Sequence, residues 1–246
     1  MKTLHKADTL SQQAAASYEE ERDIMAHATS PWLTSLQYAF QDMHNLYLVM
    51  EFHPGGDLLA LLDRFDGYLE EAMARFYLAE LVLCIRSLHL MGYVHRDIKP
   101  DNILIDRCGH LKLADFGSAA KLTAAGAVMS QMPVGTPEYI APEVLKSMEA
   151  SLGNTKKKSP GAYGVECDYW SLGIVAYEMA FGQTPFSGDQ LTDTYFNIMN
   201  HKSKLLFPED CDVSQSYHDI ICGLLDDAAS RLGHEQLLKH PFFSSV

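Results

Sequence analysis

Polar and apolar positions change period several times along the chain, and each change marks an element. Two short apolar runs, residues 35–40 and 46–52, flank Asp42-Met43-His44-Asn45, which predicts a β-hairpin. Upstream, residues 1–6 read as the end of a strand. Residues 11–28 have helical composition, with Ala14, Tyr18 and Met25 available for an apolar face. Pro54-Gly55-Gly56 breaks the pattern and a helix starts at Asp57. A long amphipathic helix is predicted over 70–91, with Phe76, Ala79, Leu83 and Leu90 on one stripe and Gly92 ending it. Residues 103–105 and 111–113 form a small hairpin with Cys108-Gly109 near its turn. Residues 114–143 follow no period over about thirty positions, far longer than an ordinary connection and therefore expected to be functional. Residues 168–181 are apolar on nearly all sides, which predicts a fully buried helix. Three more helices are expected around 190–200, 214–225 and 234–239, and a surface insertion over 148–163.

With 246 residues, 47% hydrophobic and 21% charged, the chain is an ordinary globular one, long enough for one large domain or two lobes. A formal charge of −13 argues against nucleic acid as the main partner, because phosphate backbones call for clustered Lys and Arg. The basic run Lys156-Lys157-Lys158 reads as a solvated loop. Five cysteines, an odd number without metal-ligand spacing, suggest reduced thiols, with Cys84 and Cys222 expected in the core. No signal-peptide pattern and no run of membrane-spanning length is present, so no membrane insertion and a cytoplasmic setting are expected.

The densest chemistry lies in Tyr93-Val94-His95-Arg96-Asp97-Ile98-Lys99-Pro100-Asp101-Asn102, followed by Asp115-Phe116-Gly117 after the short hairpin. These stretches put two carboxylates, an ammonium and a carboxamide at the ends of short strands, able to face one point. Such a set suits magnesium and phosphate. His95-Arg96-Asp97 with Asn102, Asp115-Phe116-Gly117 and Ala141-Pro142-Glu143 also occur in the order and at the separations of the protein-kinase signatures. Together with 46–51, 115–121 and His240-Pro241-Phe242-Phe243, they make nearly the whole chain resemble serine/threonine protein kinases of the AGC group, in the branch of the Rho-effector and myotonic-dystrophy-type kinases.

That resemblance implies an α+β, two-lobe kinase fold, with 1–53 as a partial small lobe and hinge and 54–246 as a mainly helical large lobe. It implies ATP and Mg2+ as cofactors and protein Ser/Thr hydroxyls as substrates. Asp97 would be the catalytic base, Lys99 would steady the transferring phosphoryl group, and Asn102 and Asp115 would hold magnesium. Lys2 would pair with the ATP phosphates and with Glu21. Met50 would be the gatekeeper, the backbone of Glu51 to His53 would meet adenine, Asp57 would face the ribose, and Leu104 belongs to the same nucleotide-binding set. A helix N-cap is the other reading of Asp57, and both hold together. Asp168 would reach the backbone of the catalytic loop, and Glu143 with Arg231 would form a buried ion pair.

Lys99, together with Gly135-Thr136-Pro137-Glu138-Tyr139, resembles the serine/threonine subclass. Asp57, Asp101 and Glu178 match positions that relatives use for basic residues before the phosphoacceptor, although solubility alone also accounts for such carboxylates. A Rho-family link is implied by kinship only. Arg96 would normally grip a phosphate on the activation segment, yet Met132 stands at the usual threonine. Either no such phosphate is needed, or Ser130 substitutes. No G-x-G-x-x-G stretch occurs. On this alignment the first strands and the glycine-rich roof over ATP fall upstream of residue 1, and a carboxy-terminal tail falls beyond the last. Lack of the roof would expose a strand edge and weaken ATP binding about a thousandfold or more. A catalytically silent docking module therefore stands as the alternative, and the intact set Asp97, Lys99, Asn102 and Asp115 favours the kinase.

Overall fold

The computed structural model describes residues 1–8, 12–129, 134–152, 162–209 and 213–244, with side chains described throughout these except at 12–16, 129 and 148–152. Met132, Ser130 and Lys156 to Lys158, and with them much of the expected insertion, lie outside the described residues, as does the side chain of Ala14.

The chain begins with β1 (Lys2–His5), α1 (Gln12–His27), β2 (Leu36–Gln41) and β3 (Asn45–Met50). The three strands form an antiparallel sheet in the order β1-β3-β2, with Lys2 opposite Leu48 and Leu36 opposite Met50. Asp42 makes the turn: its Oδ1 accepts the N–H groups of His44 and Asn45, both at 2.7 Å, and its Oδ2 accepts the Tyr47 hydroxyl at 2.7 Å. Leu48 of the central strand is buried with Ile24 and Met25 of α1, whereas β2 shows Tyr38 and Phe40 to solvent. Tyr18 packs half-buried against the same core.

The remainder is mostly helical. It runs through α2 (Leu58–Arg64), α3 (Glu71–Leu90), the strands β4 (Tyr93–Val94), β5 (Ile103–Ile105), β6 (Leu111–Leu113), β7 (Ala120–Lys121) and β8 (Val128–Met129), then α4 (Pro142–Leu152), β9 (Ala162–Tyr163), α5 (Glu166–Phe181), α6 (Leu191–Met199), α7 (His201–Lys204), α8 (Gln215–Leu224) and α9 (His234–Leu237). The strands pair as ribbons, β4 with β7, β5 with β6 and β8 with β9. Residues 114–143 are thus not bare loop: among those described, β7, β8 and two single 3-10 turns tie the stretch to the rest. The separate turn of α7 was not expected from the pattern.

Helix α3 corrects the predicted stripe. Its buried line is Ala74, Tyr77, Leu78, Leu81, Cys84, Ile85 and Leu88, while Phe76 is 39% and Leu90 70% exposed. The helix is apolar on more than one side, so periodicity offered two faces, and packing against α5 and β6 selected the other one. Cys84 is fully buried as expected, but Cys222 is only half-buried on α8.

Helix α5 is the central post, with Trp170, Ile174, Val175, Ala176 and Met179 fully buried. Gly173 sets its distance from α8, because a Cβ there would stand 2.8 Å from the side chains of Leu224 and Leu225. Beside α5, Arg231 meets Glu143 in a two-pronged ion pair of 2.5 and 3.0 Å, and also donates to the carbonyls of Glu166 and Asp226. Among the described residues, no helix is long and apolar enough to cross a membrane.

Candidate active site

Asp168, in the first turn of α5, fixes the loop that follows β4. Its fully buried carboxylate accepts the backbone N–H groups of His95 and Arg96 at 2.8 and 2.9 Å, and its Oδ2 also meets His89 Nε2 at 2.7 Å. Burial alone would raise this carboxyl, but the hydrogen bonds and the His89 ring outweigh it and hold the group below its ordinary value. A depressed folded pKa contributes stability that is complete above the unfolded value of 3.8 and is lost as pH falls through the folded one. Asp168→Asn is expected to destabilise the chain by about 2–3 kcal/mol at neutral pH, because one backbone N–H then faces an amide NH2. Its stability, followed by circular dichroism in denaturant, should fall less steeply than that of the parent below about pH 4.

The loop so held brings its polar side chains together. Asp97 Oδ1 accepts both the N–H and the hydroxyl of Thr136 at 2.8 Å, Oδ2 accepts Asn102 Nδ2 at 3.1 Å, and Lys99 Nζ stands 3.9 Å from Oδ2. Asn102 spends its amide nitrogen on Asp97 and accepts no hydrogen bond on its side-chain oxygen among the described residues. The His95 ring donates from Nε2 to the Ala114 carbonyl at 3.0 Å and accepts the Asp97 N–H on Nδ1 at 3.2 Å. It therefore joins the two halves of the site.

Asp115 follows β6 in a left-handed conformation, φ 54°, which turns its carboxylate toward the sheet. There Lys2 Nζ lies 2.8 Å from Asp115 Oδ1 and 2.8 and 2.9 Å from the two oxygens of Glu21. Burial works against the Lys2 charge, yet Glu21 and Asp115 hold its ammonium protonated above the ordinary value. Burial pushes the Glu21 carboxyl up against the pull of Lys2, whereas the Asp115 carboxyl, despite burial, is held down by Lys2 and the Gly117 N–H. Two carboxylates around one ammonium leave the cluster short of positive charge. A hard cation on Asp115 and the free Asn102 oxygen would supply it, and oxygen donors suit magnesium. Gly117 covers the cluster, and Ser17 of α1 donates to its carbonyl.

On the other wall, Met50 ends β3 half-buried. Next to it, the Glu51 carbonyl and the His53 N–H have no hydrogen-bond partner among the described residues, a free acceptor and donor two residues apart. The Glu51 side chain turns away to Lys112 at 3.6 Å, and the His53 ring is buried. Asp57 caps α2 by accepting the Ala60 N–H at 2.8 Å, and its backbone bridges to Leu104 of β5. Leu104 points away from the buried Ile103 and Ile105.

Glu178 of α5 accepts the Tyr139 hydroxyl at 2.6 Å, and burial raises its carboxyl, with Glu138 and Asp101 nearby adding to the effect. Three contacts were not expected. Thr136 on Asp97, Ser17 on Gly117 and Tyr163 on Arg96, the last at 3.1 Å, each join segments that no local pattern links. Thr136 had a signal, since it lies within the Gly135 to Tyr139 stretch; Ser17 and Tyr163 had none. Arg96 Nε also donates to the Ser118 carbonyl at 2.7 Å.

Comparison with known proteins agrees with this arrangement. The family model described as "Protein kinase domain" matches residues 1–243. The chain is 52% identical over its whole length to the Citron Rho-interacting kinase of Homo sapiens, of which it covers 12%. It is 51% identical over its whole length to the serine/threonine-protein kinase MRCK alpha of Mus musculus, covering 14%, and 50% identical to MRCK gamma of Homo sapiens, covering 16%. The chain thus spans about an eighth to a sixth of the length of these relatives. With the family model matched from residue 1 to 243, the chain belongs to the protein kinase domain family.

Proposed function

We propose that the chain is a serine/threonine protein kinase domain that transfers the γ-phosphoryl group of ATP to Ser/Thr hydroxyls of proteins. The observation that carries this reading is Asp97, aligned by Thr136 and Asn102 and tied through the His95 ring to Ala114, next in the chain to Asp115 of the Lys2–Glu21–Asp115 cluster. Phosphoryl transfer asks the protein mainly for positioning and charge stabilisation. In this reading Asp97 orients the acceptor hydroxyl and takes its proton, and Lys99 steadies the moving phosphoryl group. Lys2, held by Glu21, meets the ATP phosphates, and the free Glu51 carbonyl and His53 N–H take adenine beside Met50 and Leu104. Asp57 caps its helix and faces the ribose together. Asn102 and Asp115 are the residues that would hold magnesium, which when bound supplies charge neutralisation at the phosphates. Pro54 to Gly56 would separate a small lobe over 1–53 from a large lobe over 54–246. The free thiols of Cys84, Cys108, Cys167 and Cys222 support a cytoplasmic setting. The name of the human relative supports a Rho-family link.

Asp57, Asp101 and Glu178 support a substrate with basic residues before the phosphoacceptor. The test is transfer from labelled Mg-ATP to a serine peptide preceded by arginines, to the same peptide with glutamines, and to a tyrosine peptide. We expect kcat/KM for the arginine peptide to exceed that of the glutamine peptide by tenfold or more, with about 1–2 kcal/mol per charge pair in a half-buried site. No transfer should reach tyrosine, and chelation of magnesium should stop the reaction. Absence of transfer by the folded chain would overturn the kinase reading, and equal use of both serine peptides would overturn the basic motif.

A further inference from the structure

Arg96 lies between the residues that act and the segment that follows them. Its backbone is left-handed, φ 68°, a costly conformation for a residue with a side chain, so its surroundings must hold it there. From within, Asp168 accepts its N–H at 2.9 Å. From the other side, Gly135 lies so close that any Cβ there would collide with the Arg96 carbonyl oxygen.

The guanidinium is held as well. Nε donates to the Ser118 carbonyl at 2.7 Å, Nη2 to the Ala119 carbonyl at 3.4 Å and Nη1 to the Tyr163 hydroxyl at 3.1 Å. The two carbonyls follow Asp115-Phe116-Gly117 directly in the chain. Tyr163 comes from β9, where it pairs with Val128 of β8, and its ring is 4% exposed. A single cation is thus held by the stretch that follows Asp115 and by the ribbon before α5.

We propose that Tyr163 is a positioning residue: its hydroxyl holds Arg96, and through it Asp97, in register with Asp115. This rests on the kinase reading above and concerns how that site is kept assembled. Tyr163 does not touch the reacting atoms, so its loss should lower kcat while leaving KM alone.

The experiment compares the parent chain with Tyr163→Phe, Arg96→Met and the double variant Tyr163→Phe/Arg96→Met. Tyr163→Phe keeps the ring and its packing. We expect kcat to fall about tenfold in Tyr163→Phe with the peptide KM within about twofold, and no further fall when that change is added to Arg96→Met. The same fall in both backgrounds, or an unchanged kcat in Tyr163→Phe, overturns the proposal. Amide hydrogen exchange over 93–102 is measured in parallel and does not depend on activity. Faster exchange in Tyr163→Phe supports the latch, and unchanged exchange overturns it even where the parent transfers no phosphate and the kinase reading itself has failed.

Discussion

Asp97→Asn is expected to lower kcat for phosphate transfer by about 10²–10⁴-fold with little change in the KM for ATP, the loss of a positioned general base. The substitution is nearly isosteric, and the local geometry tells how it would settle. The amide oxygen would take the place of Oδ1, where it still accepts the Thr136 N–H and hydroxyl, and the new NH2 would face Asn102 Nδ2, which now donates to Oδ2 at 3.1 Å. Two donors in opposition cost a modest amount of stability, so a thermal melt should move by only a few degrees while the rate collapses. A large drop in both would mean that Asp97 is chiefly structural. A rate within threefold of the parent would remove Asp97 as the base.

Arg231→Met should produce the largest loss of stability. The Arg231 side chain is 1% and that of Glu143 17% exposed, so removing the cation strands a carboxylate in a mostly dry site. It also releases the Glu166 and Asp226 carbonyls and the contact of the guanidinium with the Trp170 ring, 5.1 Å from its centroid. Breaking a buried pair from one side costs about 3–5 kcal/mol, equivalent to roughly 6–20 °C in melting temperature for a domain of this size. The double variant Arg231→Met/Glu143→Gln should recover part of this, because no bare charge is then left behind. Calorimetry of the three proteins decides the matter, and a single-variant loss under about 1 kcal/mol would place the pair among weak surface contacts.

Much of this arrangement can be read from the chain without coordinates, and the rest divides along a physical line. The hairpin at Asp42, the all-apolar α5 and the break between β3 and α2 at Pro54 are local: a period, a turn residue or a cap settles each one. The kinase signatures locate Asp97, Asn102 and Asp115 in the same way. Which face of α3 is buried is not local. Phe76 and Leu90 are as apolar as Leu78 and Leu88, and only the position of α5 and β6 chooses between them. The Tyr163 contact with Arg96 joins residues 67 apart, and the Thr136 contact with Asp97 residues 39 apart. No window of sequence contains such pairs, and a hydroxyl leaves no periodic trace of the partner it will find.

The separations themselves carry a consequence for how the molecule comes into being. Lys2 and Asp115 meet across 113 residues, Glu143 and Arg231 across 88, and His95 and Asp168 across 73. Closing such loops is entropically costly and comes late, whereas α3 and the β5–β6 hairpin form from neighbours. During synthesis the Lys2–Glu21 pair emerges early, but the aspartate that completes it must wait, and the loop bearing Asp97 finds its anchor only after Asp168 has been made. The contacts that complete the site therefore close the longest loops, and they are expected to form after the local elements have done so.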